Sequence, residues 1–322
     1  MPSHDPHDLR HVRLGVAAAL FAFVTWGLLP VYWKAIAAVP PPEILAHRIV
    51  WTLVFAAIAL GATRRFGEVA AVFRSRRACA TFIGAGLLLG ANWFTFISAV
   101  NSGHVFQCSL GYYINPLVNV FLGCVFLHER FRPWQLAAIA VAAGGVLYLT
   151  VSGGELPGIA LVLALTFAFY SLVRKVARYE ALPGLLLETM VLLVPAVAYL
   201  VHVGAGPWSA PERGGAALPV LLLGTGIVTS LPLLTFAFAA RRIRLTTVGF
   251  IQYLTPTGMF LLGILVYKEE FTRHHKIAIV TIWIALAMYS IDAVRAAHER
   301  RNGAGVRGRP AADNGADAQV EL

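Results

Sequence analysis

Arg48 and Glu188 are ionisable side chains set inside long apolar runs, Arg48 in the stretch 44–60 and Glu188 between Leu187 and Thr189. An arginine placed in hydrocarbon costs at least ~2.5–3.5 kcal/mol, so Arg48 must face a cavity or an acidic partner. Near it in sequence stand Lys34, Glu43 and His47. Glu43 and His47 are four residues apart and share one helix face. Glu43 also follows Pro40, Pro41 and Pro42, in a first helical turn where a carboxylate suits the helix dipole. Two readings of this group are open. Either the four residues belong to a charge-coupling site, or Glu43 caps its helix, Lys34 reaches to the headgroups and His47 packs. Glu188 reads either as a proton-exchanging carboxylate or as half of a structural ion pair.

A second set is uncharged. Tyr112, Asn115 and Asn119 fall at i, i+3 and i+7, one helical face. Gln252 and Thr255 have the same spacing later in the chain. Polar side chains in an apolar run point toward protein or water. Pro116 and Pro256 each remove a backbone donor and mark candidate kinks. Asn92, Trp93, Trp26 and Tyr32 offer further polar and stacking surface. Together these residues make a candidate substrate pathway, and interhelical hydrogen bonding is the competing explanation.

These sets are related by a repeat. A fixed offset of 140 joins Pro116 to Pro256, Tyr113 to Tyr253, Gly86 to Gly226, Glu129 to Glu269 and Phe131 to Phe271. It also joins Arg48 to Glu188, so the two buried charges are of opposite sign at related positions. Such self-similarity indicates an internal duplication. Glu129 and Glu269 end their helices beside basic residues and read as interfacial ion pairs.

The elements that position these residues are membrane spans. Of 322 residues 58% are apolar and 13% charged, against roughly 25% charged in soluble domains. The apolar runs are long enough to cross a bilayer core. Ten spans are expected: 14–33, 44–60, 78–100, 105–127, 134–151, 156–173, 185–203, 217–240, 245–267 and 277–291. The fold class is an all-α polytopic membrane protein. With the N-terminus cytoplasmic, 20 of the 26 lysines and arginines fall on the inner side, as the positive-inside rule requires. Five spans per half, an odd number, make the second half inverted, which is a transporter architecture. The expected division is a cytoplasmic N-terminal tail at 1–13, a first five-helix repeat at 14–151, an inverted repeat at 152–292 and a cytoplasmic, disordered C-terminal tail at 293–322. Cys79, Cys108 and Cys124 lie in apolar segments and form no disulfide framework. There is no metal-spaced His/Cys set, no phosphate-binding glycine loop and no basic surface interleaved with aromatics. These exclude a metal site, an ATPase and a nucleic-acid binder, and nothing marks an enzyme or a cofactor.

Trp26-Gly27-x-x-Pro30-x-Tyr32-x-Lys34, Glu43-Ile44-Leu45-x-His47-Arg48, Gly90-x-Asn92-Trp93, Ser109-Leu110-Gly111-Tyr112-x-Ile114-Asn115-Pro116-Leu117-Val118-Asn119 and Phe169-Tyr170-x-Leu172-Val173-Arg174-Lys175 resemble the RarD family, in the EamA-type branch of the drug/metabolite transporter superfamily. The resemblance spans about residues 12–295. It implies a ten-helix carrier of the bacterial inner membrane that moves a small organic molecule by alternating access. A flippase for lipid-linked substrates, also found in that superfamily, is the alternative. The expected partners are a small-molecule substrate, the bilayer and a proton or other coupling ion, with the chain a monomer or a homodimer. The small multidrug members of the superfamily carry a glutamate in their first helix. The first span here has no carboxylate, so that exchange scheme does not carry over.

Overall fold

The protein was analysed as a computed structural model, which describes residues 6–128, 132–154, 156–177, 180–204, 215–240, 242–243, 248 and 251–307. Glu129, Phe131 and the start of the span expected at 245–267 lie outside the described residues, as do 1–5 and 308–322.

The described residues are helical, with no strand among them. In chain order the helices are α1 (Pro6–Ala35), α2 (Pro41–Ala62), α3 (Phe66–Phe73), α4 (Arg76–Asn101), α5 (Val105–Leu127), α6 (Pro133–Gly153), α7 (Gly158–Ala177), α8 (Ala181–His202), α9 (Ala217–Ala240), α10 (Leu254–Leu261) and α11 (Arg273–Arg307). A π-helical segment, Leu262–Val266, continues α10. Eight helices are long and apolar enough to span a bilayer, and two apolar helices are shorter, at 158–174 and 254–266. This is a multi-pass membrane protein. Ten spans were expected; among the described residues eight helices are full-length, and the segments expected at 156–173 and 245–267 contain only the two shorter apolar helices.

Local sequence sets the helix ends. Pro41 and Pro42 open α2, where missing N–H groups cost nothing. The Ser75 hydroxyl accepts from the Ala78 N–H at 3.3 Å to cap α4. The turn between α4 and α5 is tight, as the Ser102-Gly103 pair predicts, and Gly103 takes a φ of +80° that a side chain would strain. The amphipathic helix α3 was not anticipated. It buries Val69 and Val72 against Phe82, Leu182 and Leu186.

Helices pair in a regular way. α2 packs against α8, α5 against α10 and α6 against α11. α1 contacts α9 and α10, while α7 contacts α4 and α5. α2 meets α9, and α8 meets α4. Exchanging α1, α2, α4, α5 and α6 for α7, α8, α9, α10 and α11 leaves this set of main pairings unchanged. Close approach at two glycines fixes the central contacts. A Cβ on Gly226 of α9 would run into the Trp51 carbonyl of α2. A Cβ on Gly86 of α4 would lie 3.0 Å from the Glu188 carbonyl of α8. These glycines are related by the 140-residue offset. Small residues at such contacts are how helices associate in lipid, where apolar burial gives little drive. The largest core cluster, with Trp33, Ile36, Phe96, Ile97, Leu222 and Met259, joins α1, α4, α9 and α10. Outward, Leu20, Phe21, Val24, Leu28 and Val31 leave α1 with an exposed apolar face suited to lipid.

Candidate functional site

Arg48 lies on α2 and is only 5% exposed. Its guanidinium carbon is 4.0 Å from the centre of the Trp93 ring on α4 and 4.9 Å from that of Trp33 on α1. Its Nε donates to Thr229 Oγ1 on α9 at 2.9 Å. Nη1 is buried with no hydrogen-bond partner. None of the ion pairs among the described residues includes Arg48. Two tryptophan faces and one hydroxyl therefore hold a buried cation. Cation–π contacts of this kind are worth about 0.5–2 kcal/mol, too little to offset full desolvation of the charge.

Among the described residues, further buried polar groups on α1, α2 and α9 lack partners too. They include Trp33 Nε1, His47 Nε2, Trp51 Nε1, Thr52 Oγ1 and Ser230 Oγ. His47 and Thr52 are fully buried, and Glu43 is buried in the first turn of α2. Lys34 stands apart, with Nζ 5.4 Å from the Tyr267 ring centre.

Glu188 of α8 is fully buried but is not paired with Arg48. The Tyr170 hydroxyl donates to its Oε2 at 3.1 Å, and Arg174 Nη1 lies 3.5 Å from Oε1. Both partners come from α7. The opposite charges at related positions, Arg48 and Glu188, therefore do not pair directly, and the acidic partner expected of Arg48 is not Glu188. The reason lies in α7, which runs on to Ala177 and carries Arg174 inward across Gly184 of α8. The repeat marks this residue in the sequence, where Arg174 is the 140-residue counterpart of Lys34.

The uncharged pathway residues mostly tie helices together. Asn92 donates to the Leu163 carbonyl at 3.1 Å and to Thr166 Oγ1 at 2.9 Å, joining α4 to α7. Asn115 donates to the Ala164 carbonyl at 3.1 Å and accepts from Asn119 at 2.8 Å. Thr255 donates to the Phe23 carbonyl at 2.7 Å, joining α10 to α1. The Tyr32 hydroxyl donates to the Leu221 carbonyl. Trp26 packs among Phe23 and Phe236, and Tyr112 stands edge-on to Phe96 and Phe167. Gln252 lies half-buried just before α10, its carbonyl accepting from the Thr255 N–H at 3.2 Å. Pro116 is inside α5, whereas Pro256 is the third residue of α10. A proline there forfeits no intrahelical bond, so Pro256 starts a helix and does not kink one.

Glu269 was expected to form an interfacial ion pair. Instead its two carboxylate oxygens accept the N–H groups of Val105 and Phe106, both at 2.7 Å. It caps α5 from a distant part of the chain. The first-turn donors of any helix need acceptors, and a carboxylate also suits the positive helix end.

The model of the EamA-like transporter family matches this chain twice, at residues 13–151 and 157–291. The chain belongs to that family, and within it to the RarD group. A RarD protein of Salmonella typhimurium is 43% identical over 287 residues, covering 89% of this chain and 98% of the relative. An uncharacterized transporter of Vibrio cholerae is 42% identical over 294 residues, covering 91% and 97%. A protein of known crystal structure, 21% identical, superposes with a TM-score of 0.55 over 88% of this chain and 98% of its own, which shows a shared fold. The two family matches coincide with the halves whose helix pairings exchange. Arg48 stands where the halves meet, since α1, α2 and α4 belong to the first and α9 to the second.

Proposed function

We propose that this protein is a secondary-active transporter that moves a small organic molecule across the bacterial inner membrane by alternating access. Two inverted five-helix repeats, 14–151 and 152–292, form the carrier, with both termini cytoplasmic. The observation that carries the reading is the exchange symmetry of the helix pairings, combined with a family match to each half. Symmetric halves can rock about a shared centre to expose it to either side in turn. The relatives' naming as transporters and the distribution of basic residues support the same reading. A proton or another ion is the candidate coupling partner.

A second reading rests on a specific feature. A groove of about 350 Å³ between α2, α4 and α8 is lined by Leu45, Ile49, Leu87, Phe94, Leu192 and Tyr199. It fits an acyl chain, as a lipid-linked flippase would need. No charged side chain lines it, so it offers a headgroup no path, and the small-molecule carrier is preferred.

The test is uptake and efflux in proteoliposomes across a metabolite library, with and without a pH gradient. Saturable movement of at least one soluble compound is expected, and movement of lipid-linked compounds alone would favour the flippase. For topology, single cysteines at 102 and 242 should label from opposite sides. Labelling from one side would end the inverted-repeat reading.

A further inference from the structure

We infer that Arg48 is the receptor for a carboxylate on the transported molecule, so that the substrates of this carrier are small organic acids or amino acids with a free carboxyl group. The inference rests on the transporter reading and names the substrate class for it.

The first argument is the kind of group left unsatisfied. Arg48 Nη1 and Trp33 Nε1 can only donate hydrogen bonds, and both are buried without an acceptor. Thr52 Oγ1, one turn along α2, and Ser230 Oγ, next to Thr229, are hydroxyls with neither donor nor acceptor used. The two donor-only groups, Arg48 Nη1 and Trp33 Nε1, lack an acceptor, and a carboxylate supplies acceptors with no donor of its own. The second argument is charge. A desolvated guanidinium normally stands beside an anion, and Arg48 enters no ion pair among the described residues. The third is orientation. Thr229 holds Nε while Trp93 and Trp33 stand 4.0 and 4.9 Å from the guanidinium carbon. The fork is thus fixed before any ligand arrives, and a fixed fork suits a planar carboxylate. The fourth is position. The group is built from α1, α2, α4 and α9, so an anion bound there would touch both halves.

The repeat sharpens the point. The counterparts of Trp33, Trp93 and Thr229 in the other half are Val173, Leu233 and Leu89. The cage is present once, although its scaffold is duplicated. Helix packing common to both halves would not call for it.

The experiment uses the purified full-length protein in detergent and reads ligand-induced shifts in thermal stability. The probes are benzoate, phenylacetate and phenylalanine, each against its amide, with sodium chloride and inorganic phosphate as further arms. At least one carboxylate should raise Tm saturably while its amide does not. Arg48→Lys should weaken that binding at least tenfold and Arg48→Met should abolish it. Thr229→Val, which keeps the charge but frees the fork, should weaken it severalfold and guards against misfolding of the arginine variants. Amides binding as well as acids would overturn the proposal. So would a response to inorganic anions alone, an absence of response to every carboxylate, or wild-type affinity in both Arg48→Lys and Thr229→Val. The outcome is separable from that of the transport assay. Carboxylate binding at Arg48 without movement in proteoliposomes would sink the carrier reading alone. Transport of neutral compounds unaffected by Arg48→Met would sink the carboxylate receptor alone.

Discussion

Arg48 and Glu188 occupy related positions on α2 and α8, are both buried, and solve the problem of burial differently. Glu188 finds its partners within its own half, in Tyr170 and Arg174 of α7. Arg48 reaches aromatic rings in its own half and a hydroxyl in the other. One site is closed in charge, with a cation set beside its anion. The other has a cation and donors in excess. Duplicated scaffolds can therefore diverge into a strut and a socket while the helices around them keep the same pairings.

The comparison breaks most sharply at the ion pair. Removing one member of a buried pair leaves a lone charge at a cost of about 3–5 kcal/mol. Arg174→Met and Glu188→Gln should each lower the stability of the detergent-solubilised protein, the arginine variant more because the stranded Glu188 is fully buried whereas Arg174 is 16% exposed. The double variant should recover most of the loss. Combining Arg48→Met with Glu188→Gln should instead give additive losses within about 0.5 kcal/mol, as for sites with no shared partner. Strong coupling in that second pair would restore the direct Arg48–Glu188 contact that the structure lacks.

The two glycines give the next effect. Gly226→Ala should cost about 1–3 kcal/mol, as overpacking does, because its Cβ would meet the Trp51 backbone. Gly86→Ala, where the nearest atom, the Glu188 carbonyl oxygen, is 3.0 Å away and so leaves more room than at Gly226, should cost less. Equal losses by thermal denaturation would mean that the α2–α9 and α4–α8 contacts are equally tight.

The smallest effect is expected at Lys34. It is the counterpart of Arg174, yet among the described residues its recorded contact is the Tyr267 ring at 5.4 Å. Lys34→Met should lower stability by about 0.5–1 kcal/mol or less, the range of an exposed cation–π contact. A loss comparable to that of Arg174→Met would show that Lys34 has an acidic partner after all.

Much of this molecule was legible in the sequence because hydrocarbon is a demanding solvent. Apolar runs announced most helices, and the gapless offset announced the duplication. The buried positions of Arg48 and Glu188 followed from their surroundings in the run. What the sequence left open was direction around the helix axis. Asn92, Asn115 and Thr255 are buried, but whether an inward polar side chain lines a path or bonds a neighbouring carbonyl depends on another helix's backbone. Arg174, beside Lys175 at the end of an apolar run, reads as one of the basic residues of the inner flank, because charge at a helix end is the common case. Helix α3 was missed because eight residues, Phe66–Phe73, sit among arginines and read as loop.

Glu269 holds α5 by two backbone N–H groups, and this has a consequence for how the protein varies among relatives. Any residue except proline offers the same N–H, so positions 105 and 106 are free to drift under this contact while the carboxylate is not. Covariation between aligned positions would be silent about the contact, and an alignment would show one fixed glutamate with no apparent correspondent. In this protein a link between distant parts of the chain is written in one residue and read by the main chain.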